Sequence, residues 1–384
     1  MATENHELIV VGAGPAGTMA AYHAARQGVR VTILDRAPGS RPKPCAGGLS
    51  TKALAQLPFS VAHIVQKSTQ SISLGLGAAP GQPISAQGLL CGFVVRHEFD
   101  GLLLDRARQA GADYQLVDRI TDLSVAPDHV RLDLGDGRSL NTGYLIAADG
   151  ANSQIRRLAD PQGAFSRGFA LEGIVPRASL SGAPGMELNF GCLPFGYGWV
   201  FPKGDHVNVG IYTSRDRVPL GKDILRNYAR AKLGTQDVQD IMGFPLGFGG
   251  KTYRPTQERL LFAGDAAGMV EPLLGEGIFN ALRSGEMAGR AVAGAVAQGT
   301  SARGAYDVGL RSIRRDLRRG ELICNLFYEH LDGFGFRALQ NPMIRAILIK
   351  GYAAGKTFHQ ITDGFALMPW QKPLRSDRID ELQG

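Results

Sequence analysis

Along LPFGYGWVFP (193–202) every second residue is aromatic: Phe195, Tyr197, Trp199 and Phe201, with Gly196, Gly198 and Val200 between them. Successive side chains of a strand point to opposite faces, so the pattern predicts a strand with an aromatic row on one side and near-bare backbone on the other. Similar alternation runs through SISLGLGA (71–78), LLCGFVV (89–95), GMELNFGC and HVNVGIY, broken by Gly, Pro and Asp. It predicts an antiparallel sheet spanning 169–212, together with the two earlier stretches. Short unbroken apolar runs at 8–11, 31–34, within LIAADG and within RLLFAGD behave differently, each ending in Gly or Asp. They predict strands covered on both faces, as in a parallel sheet. Helical spacing follows at 16–27, 102–110, from 277 to about 296, and over much of the chain from 301.

The first run leads into VGAGPAGT, where Gly12, Gly14 and Gly17 complete a dinucleotide fingerprint around Pro15 and Ala16. The first glycine permits the turn, the second lets a pyrophosphate reach the backbone, and the third lets helix pack on strand. Pro15 suits the first helical turn, and Gly28 marks the stop. The second strand ends in Asp35, followed by Arg36, and an acid at that place accepts hydrogen bonds from an adenosine ribose. The fingerprint does not choose between NAD and FAD.

Composition narrows the class. The 384 residues are 44% hydrophobic and 20% charged, as in a globular protein with a sizeable core. The net charge of +7 permits an anionic partner, whether a nucleic acid, a phosphorylated ligand or a membrane surface. Charge alone favours a protein that is simply basic. Cys45, Cys91, Cys192 and Cys324 are far apart and lack metal-type spacing, so reduced thiols and no metal are expected. The first apolar run is too short for a secretory signal, and no stretch approaches the ~20 residues of a membrane span. A cytoplasmic protein with no nucleic-acid partner is expected, and peripheral contact at the cytoplasmic membrane is left open.

Later segments add chemistry. Arg96 opens RHEFD ahead of a helix; Asp149 and Gly150 end an apolar strand, with Ser153 and Arg156 following; Gly264 and Asp265 end another, ahead of Pro272 and the turn Gly275, Glu276, Gly277. In order and spacing these motifs resemble the p-hydroxybenzoate hydroxylase-like flavoprotein superfamily, and the resemblance implies FAD. Asp265 would bind the ribityl chain, Arg96 the diphosphate–ribityl region, and Asp149 and Gly150 the pyrophosphate side. Gly275, Gly277 and Ile278 would aim a helix N-terminus at the flavin's pyrimidine edge. The fold implied is α/β: a Rossmann-type FAD-binding domain with an inserted antiparallel β-sheet substrate domain and a C-terminal helical region. The FAD-binding pieces are expected at 1–70, 95–160 and 255–300, the substrate sheet at 71–94 and 161–254, and the helices at 301–384.

The aromatic strand carries a finer resemblance. Pro194, Tyr197, Trp199, Phe201 and Pro202 match the Pro-x-x-Tyr-x-Trp-x-Phe-Pro signature of the geranylgeranyl reductase family, and PCAGGLS (44–50) resembles its Cys-Gly-Gly segment beside the flavin. Cys45, Ala46 and Gly47 would then face the flavin, with Ala46 where another glycine is common. The family implies reduction of isolated C=C bonds in a prenyl chain by hydride from flavin N5 plus a proton. The substrate would be a prenyl lipid, a prenyl diphosphate, or a prenylated quinone or pigment; the electron donor would be NAD(P)H or a ferredoxin-type protein. Cys45, Tyr197 and Trp199 are the expected catalytic residues, and Phe195, Tyr197, Trp199 and Phe201 the expected substrate wall. For each aromatic taken singly, simple core packing competes with substrate contact. The alternative activity is that of an FAD-dependent monooxygenase or halogenase on an aromatic substrate; a non-catalytic flavin- or lipid-binding protein is the third reading. On the C-terminal helix, Arg311, Arg314, Arg315, Arg318 and Arg319 are expected to share one solvated face, opposite Leu310, Ile313 and Leu317.

Overall fold

A computed structural model describes residues 4–37, 43–77, 79–161 and 165–363. The short apolar runs become the centre of a seven-stranded sheet. Strands β1 (Glu4–Val11), β2 (Val31–Asp35) and β3 (Ser139–Ala147) lie side by side and parallel, in the order β2-β1-β3. Asp113–Leu116 extends the β2 edge in parallel, Leu260–Phe262 pairs with β3, and an antiparallel hairpin of Ile120–Val125 and Val130–Leu134 completes the sheet. Leu8, Ile9 and Val10 are fully buried, as strands covered on both faces require.

One face is covered by helix α1 (Pro15–Ala25), helix α2 (Arg96–Gln109) and the long helix α3 (Ile278–Gln298). Their closeness follows from small residues. A Cβ on Gly285 would stand 2.1 Å from the Ala16 carbonyl oxygen, and one on Gly289 2.2 Å from that of Ala20. Backbone meets backbone there, which brings the amino ends of α1 and α3 together.

The alternating segments form a second seven-stranded sheet. Its middle is β4 (Ser166–Pro176), β5 (Gly196–Pro202) and β6 (His206–Thr213), in the order β4-β6-β5 and antiparallel. Gln239–Phe248 closes one edge; Glu187–Phe190, Ser71–Leu76 and Gln82–Ser85 extend the other. The pair Glu187–Phe190 with Ser71–Leu76 is parallel, a departure from the expected all-antiparallel sheet. LLCGFVV does not join this sheet. Cys91–Val94 pairs with Gly48–Ser50 and Val65–Thr69 in a small third sheet and runs directly into α2, which ties it to the cofactor side.

The near-bare face of β5 is explained by its neighbours. A Cβ on Gly198 would stand 2.3 Å from the ring of Tyr228, on the helix Lys222–Leu233, and one on Gly196 would meet the Tyr212 carbonyl oxygen at 1.9 Å. A ring and a backbone fill that side.

C-terminal to α3, helix α4 (Ala302–Glu329) runs on to α5 (Pro342–Ala353) and Phe358–Asp363. The arginine face is split. Arg311, Arg315 and Arg318 are exposed, but Arg314 is 3% exposed, pairs with Asp307 at 2.7 Å and donates to the Tyr253 carbonyl oxygen. Arg314 adjoins Leu310, Ile313 and Leu317 on the packed face, where a guanidinium with partners for its donors can be buried.

Candidate functional site

The glycine turn after β1 has the geometry its sequence implies. Gly12 has φ 107°, and a Cβ there would lie 2.4 Å from the Ala148 carbonyl oxygen. A Cβ on Gly17 would overlap the Gly12 carbonyl oxygen at 1.8 Å, which puts α1 hard against the strand. Gly14 is open apart from the Lys43 ammonium, 3.8 Å from where its Cβ would be. Asp35 accepts the Ala13 and Ala37 amide hydrogens at 2.6 and 3.1 Å, which holds the acid beside the turn, while Arg36 is exposed. Ala16 meets Gly264, where a Cβ would come within 2.9 Å of it, so the fingerprint and the second acidic motif touch.

Asp149 has a structural role. Its carboxylate caps the helix Gln154–Ala159 by accepting from Gln154 and Ile155 at 2.6 and 3.1 Å, and Ser153 accepts from Arg156 as N-cap. Burial pushes its carboxyl above the usual range. The next residue, Gly150 (φ 80°), has open space where a side chain would be.

A cavity of about 550 Å³ lies between the amino end of α1 and the second seven-stranded sheet; Pro15 is in its wall, whereas Gly12, Gly14, Gly17, Asp35, Asp149 and Gly150 are not. On the cofactor side its wall includes Pro15, Arg96, Asp265 and the segment 43–48, which contains Cys45, Ala46 and Gly47. Gly275, Gly277 and Ile278, at the amino end of α3, complete that side. Asp265 Oδ1 lies 3.4 Å from a Cβ position on Gly277, and burial raises its carboxyl despite the nearby Lys43 and Arg96. Arg96 grips Asp100 through two hydrogen bonds of 3.0 and 2.7 Å. Burial opposes the charge of Arg96, but Asp100 and Cys45 beside it hold its pKa above the usual range.

On the other side stand Tyr197, Trp199 and Phe201, all lining the cavity. The Tyr197 hydroxyl donates to the Leu274 carbonyl oxygen (2.5 Å), and Trp199 Nε1 donates to Asn208 Oδ1 (2.6 Å). Phe201 bridges the two sides, its ring 3.0 Å from a Cβ position on Gly48. Phe195 departs from the expected row and is absent from the lining. It precedes the strand with φ 50°, so alternation does not reach it, and its ring packs on Tyr328 and under the Arg215 guanidinium, 4.0 Å from its centroid. The roof comes from the C-terminal helices through Phe327, Leu339, Leu348 and Tyr352.

Two polar groups in this wall were not singled out from the sequence. Glu276, in the turn before α3, binds the Lys52 ammonium at 2.6 Å and the Ser50 hydroxyl at 2.5 Å. Glu172, on β4, accepts the Cys45 amide hydrogen at 2.6 Å and faces Lys203 and Asn208. Glu172, Lys203 and Asn208 are all buried. Burial pushes the Glu172 carboxyl up to about 7, against the pull of the Cys45 amide, Lys203, Asn208 and Arg96. The available signal was a lone acid inside the otherwise apolar strand GFALEGIVP.

These residues fit FAD. Two helix amino ends without side-chain caps, those of α1 and α3, converge with a glycine cradle that a Cβ would fill, flanked by acids placed for hydroxyl groups. Residues 5–181 match the FAD binding domain family. The chain is 30% identical over 360 residues to an uncharacterized protein of Methanosarcina barkeri, covering 93% of this chain and 92% of that one. It is 32% identical over 314 residues to digeranylgeranylglycerophospholipid reductase 2 of Methanothermobacter thermautotrophicus, covering 77% and 79%. In fold it is similar to the crystal structure of a geranylgeranyl bacteriochlorophyll reductase-like protein from Thermoplasma acidophilum, with TM-score 0.73, 23% identity, and 95% and 96% of the two chains covered. With the cradle, the cavity and these relatives taken together, the chain belongs to the geranylgeranyl reductase family of FAD-binding oxidoreductases.

Proposed function

We propose that this protein reduces isolated C=C bonds in the prenyl chains of a lipid, with FAD as its cofactor. The observation that carries the reading is the continuity of one cavity, polar where the cofactor motifs line it and apolar from Tyr197, Trp199 and Phe201 to the helical roof. A 2-hydroxy acid or sugar would leave those walls unsatisfied; a branched hydrocarbon chain matches them. The name of the Methanothermobacter relative supports a digeranylgeranyl glycerolipid as substrate class.

When bound, reduced FAD supplies a hydride. The chain's own residues do the rest. Gly12, Gly14 and Gly17 would admit the pyrophosphate, Asp35 would take the ribose, Asp265 and Arg96 the ribityl region, and the 45–47 segment with the amino end of α3 would border the ring. The aromatic wall and roof hold the alkene and exclude water, so that proximity rather than polarisation does the work. The Tyr197 and Trp199 rings favour positive charge developing on a tertiary carbon. In this reading the antiparallel sheet is the substrate domain, and Cys45 shapes the cofactor-facing loop.

Leu326 and Phe334 line the cavity yet are 45% and 59% exposed, which supports entry of a long chain there. With exposed Leu322 and Met343 they support peripheral membrane contact. Among the described residues no helix is long and apolar enough to cross a membrane. The test is anaerobic: reduce the FAD-loaded protein, add geranylgeranyl lipids, and follow products by mass. Gain of a hydrogen pair per double bond is expected. Products gaining oxygen when air is admitted would instead identify a monooxygenase. Whichever of NAD(P)H and a ferredoxin-type protein bleaches the flavin identifies the electron donor.

A further inference from the structure

Saturating an isolated double bond takes a proton as well as a hydride, and this cavity presents few groups able to give one. Tyr197 directs its O–H at the Leu274 carbonyl oxygen, and burial raises its phenol far above neutrality. Glu276 has one oxygen on the Lys52 ammonium and the other on the Ser50 hydroxyl. Glu172 is placed differently. It is 7% exposed, lines the cavity, and stands directly behind the cofactor-facing loop through the Cys45 amide. Asn208 gives its oxygen to Trp199 Nε1, leaving its amide nitrogen for Glu172. The charged and titratable groups facing Glu172 are Lys203 from the end of β5, Arg96 from α2 and Cys45 from the loop; Lys203 faces Glu98 in turn. The lysine ammonium is tucked against the loop, 3.2 Å from a Cβ position on Gly47.

We propose that the Glu172 carboxyl is the acid that protonates the double bond held in the cavity, an assignment that rests on the prenyl-reductase reading above. In this step the π pair of the alkene forms a C–H bond at the less substituted carbon and the carboxyl O–H breaks. Glu172 is left as a carboxylate between Lys203 and Arg96, which stabilise it. A hydride, which reduced FAD would supply when bound and thereby lose two electrons, would complete the adjacent tertiary carbon, and Glu172 recovers its proton from water. Burial places the carboxyl near neutrality, where an acid can both give and regain a proton at working pH.

The test separates this role from the function it depends on. Wild type, Glu172→Gln and Lys203→Met are loaded with FAD, reduced anaerobically and mixed with a geranylgeranyl lipid while flavin reoxidation is followed. Glu172→Gln is expected to retain FAD and accept electrons as wild type does, but to reoxidise on the order of a hundred-fold more slowly. It should also lose the pH limb near about 7 seen in wild type. Lys203→Met, which removes the neighbouring cation, should shift that limb to higher pH while turnover at low pH persists. Infrared titration of the cofactor-free proteins gives a readout independent of activity: the protonated-carboxyl band titrating near neutrality should be smaller by one carboxyl in Glu172→Gln than in wild type, Glu271 supplying the remainder. Should Glu172→Gln fail to fold, the Lys203→Met limb decides the matter. Equal reoxidation rates and pH profiles in wild type and Glu172→Gln, or an unmoved limb in Lys203→Met, would overturn the proposal alone. A wild type that reduces no prenyl chain would overturn the functional reading and this proposal with it.

Discussion

At the scale of single residues, β5 shows how much one missing side chain can carry. Gly198 leaves room for the Tyr228 ring, whose hydroxyl donates to Asn189 Oδ1 at 2.7 Å. Gly198→Ala is therefore expected to destabilise the fold by about 1–3 kcal/mol through overpacking, measured by denaturant unfolding. The protein should stay yellow, because Tyr228 lies on the side of the sheet away from the cavity. Trp199 is the converse case. Trp199→Phe keeps an aromatic wall but leaves Asn208 Oδ1 without its donor, and so loosens the amide that orients Glu172. Under the proposed activity, its expected signature is a larger change in kcat than in KM for a prenyl lipid. The alternation of 193–202 made Tyr197, Trp199 and Phe201 legible in sequence. Phe195 was misassigned because alternation assumes extended backbone, and a positive φ interrupts it.

Among elements, the close backbone contact between α1 and α3 sets where their uncapped amino ends stand. The two helices are far apart along the chain and touch through Gly285 and Gly289. Gly285→Val should push them apart, and the expected result is purified protein depleted of flavin absorbance with a lowered Tm. The roof gives a complementary prediction. Phe334 is exposed at the cavity mouth and remote from the cofactor motifs, so Phe334→Asp should raise KM for a long prenyl lipid while leaving flavin content unchanged. The helical periodicity from 301 onward agrees with the amphipathic helix Ala302–Glu329. It placed Arg314 with the solvated arginines because periodicity identifies a face but not which polar groups find partners inside it.

For the molecule as a whole, buried carboxyls set the response to pH. Glu172 and Glu271 are each pushed up to about 7 from 4.5, mainly by burial, and burial raises Asp149 and Asp265 in the same direction. Between those values the folded chain binds more protons than the unfolded one. The stability they contribute is thus complete below the unfolded pKa and lost as pH rises through the folded one. His23, held below its usual range by burial, acts in the opposite sense as pH falls, and the buried Lys43 and Lys203, lowered by burial from the alkaline range of a lysine, share its sign. Cofactor-free protein is therefore expected to melt at lower temperature at about pH 8 than at about pH 5, and a rising Tm over that interval would contradict the assignment. By itself, the sequence determined what depends on neighbours along the chain: the glycine cradle, the strands and their acids, the alternation of β5 and the helical spacing beyond it. Turn geometry and side-chain alternation are local, so these could be read directly. The tertiary structure decided which groups share one enclosed space: Glu172 behind Cys45, Glu276 on Lys52, and Leu326 and Phe334 at the mouth. Burial and field arise from the packing of distant segments, and no local pattern encodes them.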